Sequence, residues 1–367
     1  MEELTIFDFL PEEEAERFKP IKSTDWKWSF ADYPKDKNGL TVFSCFACGG
    51  GSTMGYKLAG CDVVGCCEID PKMNEVYIKN HNPNHNYCMD IRKFNEIPNL
   101  ELPKELLNLD ILDGSPPCTT FSMVGQREES WGKKKKFREG QAEQTLDDLS
   151  FIFGNTVEKL MPKVVIMENV EGLIKGEAWS YVQKIYRQFN DIGYDIKHWL
   201  LKGQYMGVPQ KRHRVFFVAI RKDIEFDLEY LDMSFNYEPI YYAEIKSGTG
   251  EKVTKYQKNL LLNAKHGDEN MGEIYARMFG KSTGFTDKIV WDADILQTIT
   301  ANGKIFRGQE KTKISNQDII NASTFPQDYN FLGQNKRYIC GMSVPPIMIK
   351  RIVTRLVESG VFAYKWL

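Results

Sequence analysis

Along residues 40–220, short apolar runs alternate with stretches whose apolar positions recur every three or four residues. LTVFSCFA (40–47), CDVVGCCEI (61–69), LDILDG (109–114), KVVIMENV (163–170) and RVFFVAI (214–220) read as strands, with a third short strand expected before Asp90. KVVIMENV is apolar without a break, as a strand covered on both faces must be. Between them STMGYKLAG (52–60), a segment opened by Pro71, QTLDDLSFIFGNTVEKL (144–160) and EAWSYVQKIYRQFNDIG (177–193) read as helices. The alternation predicts an α/β domain around a mainly parallel sheet. From about 221 to 290 the texture is polar and glycine-bearing with no clear period, which predicts a separate loop-rich module. After Pro345 and Pro346, IMIKRIVTRLVESG has the pattern of an amphipathic helix. Residues 1–40 begin acidic and then carry Trp26 and Trp28, aromatics expected to dock onto the body; no chemistry attaches to them.

Composition narrows the function classes. The 367 residues, 42% hydrophobic and 13% aromatic, can bury a large core, so wholesale disorder is excluded. With 48 basic and 50 acidic side chains the net charge is −2, so any nucleic-acid surface must be a local patch. No apolar run approaches the roughly 18 residues of a membrane span, and the N-terminus lacks the pattern of a signal peptide. A soluble, reducing, cytoplasmic setting is expected, with the 8 cysteines as thiols. Cys45 and Cys48 form a C-x-x-C, but Cys66 and Cys67 would point to opposite faces of a strand, so no metal site is expected. His81 and His85 have helical ligand spacing, yet Pro83 lies between them and a polar loop is expected instead.

Gly49, Gly50 and Gly51 follow the first strand, where glycine lets backbone approach a nucleotide closely. Glu68 closes the next strand at roughly the 20-residue spacing of a ribose-binding carboxylate. Asp90-Ile91 follows the third, where a carboxylate could accept from an adenine amino group. No G-x-x-x-x-G-K-[ST] occurs, so phosphate-directed ATP binding is not supported.

GSPPC (114–118) puts Cys118 at the carboxyl end of a strand, the edge where open α/β sheets bind ligands. Pro116 and Pro117 stiffen that loop, and Arg127, Lys133–Lys136 and Arg138 follow as the electropositive company a nucleophilic thiolate needs. Glu168 ends the strand 163–168 on the same edge, where a carboxyl can hold or donate a proton. A thiolate and a carboxyl form a matched pair for cytosine, whose carbon 6 becomes electrophilic when nitrogen 3 is protonated or hydrogen-bonded. Gln210, Arg212 and Arg214 alternate into the last strand, which directs all three to one face, the arginines suited to phosphate or carbonyl contacts.

In their order these motifs resemble the cytosine-5 DNA methyltransferases. FACGGGSTMGYKLAG is similar to the family's first cofactor motif, Glu68-Ile69-Asp70 to its ribose segment and Asp90-Ile91 to its adenine segment. GSPPCTTFS resembles the nucleophile loop, Glu168-Asn169-Val170 the ENV motif, and Gln210-x-Arg212-x-Arg214 the Q-x-R-x-R motif. LQTITANG, NASTFPQDY and GMSVPP (341–346) resemble the closing motifs. The resemblance implies a Rossmann-like S-adenosylmethionine-dependent methyltransferase sheet over 41–220, completed by 330–367. It implies a target-recognition domain over 221–329, and leaves 1–40 as an extension. It implies Cys118, Glu168, Arg214 and Arg212 as catalytic residues, the cysteine adding to a flipped cytosine. It implies cofactor contacts from Phe46, Gly49, Gly50, Gly51, Glu68, Ile69, Asp90, Ile91, Ser115, Pro117 and Val344, and DNA contacts from Thr119, Ser122, Gln210 and Arg212. Asn169 would orient the Pro-Cys loop. The implied cofactor is S-adenosylmethionine without a metal. The implied partner is double-stranded DNA, met by a monomer, with a cognate restriction endonuclease as a further partner the family allows.

Three positions depart from the family pattern: Cys48 stands for a glycine, Ser44 for an acidic residue and Met342 for an asparagine. Cys48 and Met342 bear on cofactor affinity rather than on the reaction class. The alternatives are a transfer-RNA cytosine methyltransferase, whose Cys-Phe-Thr signature is absent here, and a relative that binds DNA without turnover.

Overall fold

The computed structural model describes residues 19–117 and 148–363. A seven-stranded sheet has the order β3-β2-β1-β4-β5-β7-β6. Its strands are β1 (Thr41–Cys45), β2 (Asp62–Cys67), β3 (His85–Tyr87), β4 (Ile111–Gly114), β5 (Val164–Val170), β6 (Tyr194–Lys202) and β7 (His213–Arg221). β1 to β5 pair in parallel, and β7 runs antiparallel to both β5 and β6. β6 is an element the sequence pattern did not announce.

The buried strands alternate side chains between two cores, as a period of two requires. Phe43, Val165, Met167, Val215 and Phe217 face one core with helices Leu149–Leu160 and Trp179–Asp191. Val42, Ile111, Val164, Ile166, Phe216 and Val218 face the other with helix Gly51–Leu58 and the C-terminal helix Pro346–Glu358. The last helix therefore completes the sheet's covering, although it lies far from it in sequence.

A second, three-stranded sheet has the order β10-β9-β8, from β8 (Lys288–Val290), β9 (Ile305–Arg307) and β10 (Thr312–Lys313). It packs with helices Lys255–Leu262 and Met271–Phe279 around Leu260, Leu261, Ile274, Ile289 and Phe306. The segment expected to be loop-rich thus holds regular helices, one of them with a capping box at Thr254 and Gln257. The expected start of the module at 221 also moves. Leu228, Leu231 and Met233 pack into the core of the large sheet, so the chain leaves that body only after them.

A third core joins the two bodies. Trp28, Met54, Met73 and Val76 meet Tyr242, Val290, Leu296, Ile299, Ile319 and Phe325 there. Trp28 is buried and its indole N–H donates to the Thr324 carbonyl at 2.7 Å, so the N-terminal aromatics do dock. His81 is not in a polar loop: it is the last residue of helix Pro71–His81 and is buried, with Asn82 as the left-handed cap.

Candidate active site

Strands that run in parallel deliver their carboxyl ends to one edge, and a cavity opens there. Phe46 and Cys48 enter it from the exit of β1, Glu68, Ile69 and Asp70 from the exit of β2, and Met89, Asp90 and Ile91 from the exit of β3. Ser115 and Pro117 follow β4, and Met73, Leu149, Tyr338 and Met342 close the walls. Seven residues named for the cofactor from the sequence (Phe46, Glu68, Ile69, Asp90, Ile91, Ser115 and Pro117) therefore meet around one space. Met73, Met89, Leu149 and Tyr338 were not foreseen, because a single apolar or aromatic side chain carries no motif.

Glu68 is 7% exposed, and each carboxylate oxygen takes a backbone donor: Cys48 N–H at 2.7 Å and Asp70 N–H at 2.8 Å. Burial pushes its carboxyl up to about 6, against the pull of those N–H groups. Each oxygen keeps a lone pair for a further donor. A carboxylate at one strand end, a second at Asp90 and apolar walls between them fit a nucleoside, with hydroxyls to donate and a flat base to cover.

The glycines are also needed for packing within the protein itself. At Gly51 a side chain would meet the Val344 carbonyl at 2.3 Å, and at Gly50 (φ +83) it would meet His81 Nε2 at 2.1 Å. At Gly49 it would strike Ile339 at 2.6 Å. The turn is pressed against the protein's own helices, and none of the three lines the cavity. Val344 is 3% exposed, and its side chain packs in the core beneath the sheet.

Beside the cavity, β5 and β7 bring a carboxylate and a guanidinium together. Val170 pairs with Arg214 across the strands, and Arg214 Nε lies 2.8 Å from Glu168 Oε1. Asn169, 2% exposed, donates from Nδ2 to the Pro116 carbonyl at 3.3 Å and accepts from Val170 N–H at 2.8 Å. The ENV segment is thus tied to the Pro-Pro loop. Cys118, Thr119 and Ser122 lie outside the described residues.

Asp113, just before that loop, is 3% exposed. Its carboxylate accepts from Ser44 Oγ at 2.6 Å and Tyr56 OH at 3.1 Å. Burial pushes it up to about 7, helped by Glu168 and opposed by its hydroxyl donors. Asp113 and Ser44 are register partners on β4 and β1, so the carboxylate absent at 44 is present on the neighbouring strand.

Gln210 and Arg212, expected on DNA, are buried at 1% and 2% exposure. Gln210 donates to the Ala322 carbonyl at 2.7 Å and accepts from Ile299 N–H at 3.0 Å. Arg212 donates to the Ile299 and Gly341 carbonyls, both at 3.2 Å. Burial and the neighbouring Arg214 push Arg212 down to about 9. These side chains close orphaned backbone groups where the third core meets the large sheet, and neither reaches a surface where a phosphate could sit. Among the described residues no cluster of three or more potential metal ligands occurs, and no helix is long and apolar enough to cross a membrane.

Residues 40–358 match the family model described as C-5 cytosine-specific DNA methylase. Type II methyltransferase M.Eco47II of Escherichia coli is 25% identical over 354 residues, 89% of this chain and 80% of that protein. A crystal structure from E. coli, described as a putative DNA modification methyltransferase encoded within a prophage, superposes with a TM-score of 0.61 at 18% identity, covering 87% of this chain and 99% of that one. A Spodoptera frugiperda DNMT2 variant gives the same TM-score at 15% identity, over 87% and 100% of the two chains. These two likenesses concern the fold, a parallel-dominated methyltransferase sheet. With the family model spanning most of its length, the chain belongs to the C-5 cytosine-specific DNA methylases, and is an enzyme of that class.

Proposed function

We propose that this enzyme methylates carbon 5 of a cytosine flipped out of a specific duplex DNA sequence, through a covalent adduct at Cys118. The observation that carries the reading is the Glu168–Arg214 pair, side by side at 2.8 Å next to the loop that Asn169 holds. Nitrogen 3 and the carbonyl oxygen are adjacent on one edge of cytosine, and a carboxyl beside a guanidinium matches that edge. Glu168 would hold a proton at nitrogen 3 and Arg214 would bond the carbonyl oxygen, drawing electrons from carbon 6. The Cys118 thiolate then adds to carbon 6, and carbon 5 becomes electron-rich. S-adenosylmethionine, held by Glu68, Asp90 and the apolar walls, supplies an electrophilic methyl group when bound. Loss of the carbon 5 proton and departure of the thiolate restore the aromatic ring.

Buried as they are, Gln210 and Arg212 would position β7 and Arg214 rather than touch DNA. The module around β8, β9 and β10 would read base edges in the major groove; Tyr256, Phe279 and Phe285 are exposed on it. Relatives named as type II methyltransferases support a place in a restriction-modification system. The enzyme would act in the cytoplasm as a monomer beside a cognate endonuclease.

The test is base-resolution 5-methylcytosine mapping of DNA from a methylation-free host carrying this chain or its Cys118→Ala variant. Methylation confined to one short motif and lost in the variant is expected. Activity that survives the substitution refutes the mechanism, and no methylation from folded protein in either host points to an RNA substrate instead.

A further inference from the structure

The turn at Gly49 is gripped from behind. Its carbonyl accepts from Tyr329 OH at 2.5 Å and from His81 Nε2 at 3.1 Å, which uses both lone pairs. His81 is neutral, burial pushing its ring down to about 3, so Nε2 carries the proton and Nδ1 is the bare nitrogen. Tyr77 meets the ring edge-on at 4.6 Å, and Lys57 Nζ donates to the His81 carbonyl at 3.0 Å.

Behind this pair stands the N-terminal segment. Phe30 meets His81 edge-on at 6.3 Å and lies 6.3 Å from Tyr329. Its backbone N–H donates to the Asp328 carboxylate at 3.1 Å. Phe30 precedes residue 40, where the family model begins, so the wall behind the turn comes from outside the family's common part.

The turn needs such support. Phe46 (φ +57) and Cys48 (φ +46) both hold left-handed backbone that side chains disfavour, and Gly50 (φ +83) follows. Phe46 and Cys48 are also cavity walls, and Cys48 N–H is one of the donors to Glu68. A strained turn released from its two hydrogen bonds would populate other conformations, and a ligand would bind only the remaining competent fraction.

We propose that Phe30, His81 and Tyr329 are positioning residues for S-adenosylmethionine, holding the Gly49 carbonyl so that Phe46, Cys48 and Glu68 face the cavity correctly, a role that rests on the cofactor site proposed above. The contacts of this device run to the turn at Gly49, so the effect expected is on cofactor affinity.

Calorimetric titration of the full chain with S-adenosylmethionine tests it, with steady-state kinetics alongside. Tyr329→Phe removes one oxygen atom and is expected to raise the cofactor Kd by up to about fivefold, the full worth of one hydrogen bond carried into the competent fraction. His81→Phe does the same, whereas His81→Gln, whose amide nitrogen can donate where Nε2 does, stays near the unsubstituted value. Phe30→Ala raises Kd in the same direction. In every variant kcat at saturating cofactor and the KM for DNA stay unchanged. An unchanged Kd in Tyr329→Phe, or equal losses in His81→Gln and His81→Phe, overturns the proposal while leaving the cofactor site standing. Failure of the unsubstituted protein to bind S-adenosylmethionine refutes the site itself, and the positioning role with it.

Discussion

Asp113→Asn isolates what burial does to protonation at the heart of the site. The Asp113 carboxyl is pushed up to about 7 in the folded chain. In the unfolded chain it returns to the ordinary value near 3.9. Between those values the folded state holds a proton that the unfolded state has released. A raised folded value means that the contribution is complete below about pH 4 and is lost as pH rises through 7. The slope is about 1.4 kcal/mol per pH unit, and the whole loss is about 4 kcal/mol. Ser44 on β1, Ser52 and Tyr56 on helix Gly51–Leu58, and Glu168 on β5 face the carboxyl. Asparagine keeps the volume and a carbonyl acceptor and does not titrate. Glu68, also raised, is common to both proteins and cancels in their difference. Denaturant unfolding at pH 5, 6, 7 and 8 gives the stability of each. The stability of the unsubstituted protein minus that of Asp113→Asn is expected to fall by about 1.4 kcal/mol per unit from pH 5 to near 7, then level off. A difference that stays flat across this range refutes the assignment.

Arg307 and Asp318 form an ion pair at 2.7 Å with side chains 1% and 0% exposed, joined by Tyr242 OH and the carbonyls of Ser247 and Gly248. Arg307→Met leaves the carboxylate buried without its guanidinium and is expected to cost about 3–5 kcal/mol, read as a fall in the unfolding midpoint; a cost under about 1 kcal/mol would contradict it. Asn169→Ala releases the Pro116 carbonyl. Turnover should fall about tenfold, equivalent to about 1.4 kcal/mol, with cofactor KM unchanged, and a selective rise in that KM would count against a role in the loop. Glu168→Gln removes the ionisable group beside Arg214. A loss of about 10²–10⁴ in kcat is expected for a proton-holding group, whereas full activity would remove Glu168 from the chemistry.

Local pattern determined a good deal here. Short continuous apolar runs rich in β-branched residues read as strands covered on both faces, and their β–α alternation led to a parallel sheet, because each decision rests on neighbours within about ten residues. Glu68 and Asp90 could be placed on the ligand edge for the same reason: a strand's carboxyl end is visible in the sequence that stops it. Three decisions were tertiary. Gln210 and Arg212 look like surface residues by type, yet their partners are carbonyls and an N–H from positions 299, 322 and 341, and no window of sequence contains both ends of such a bond. The glycines of the first turn were legible as a turn, but the need for them comes from His81, Val344 and Ile339, which only chain folding brings there. His81 was hidden because Pro83 suggested a loop, whereas the helix ends just before the proline and leaves its last residue facing inward. Periodicity is a property of neighbouring residues and is written in order along the chain. Burial, protonation and the partner of a polar atom depend on which distant segments pack together, and that is settled only when the whole core forms.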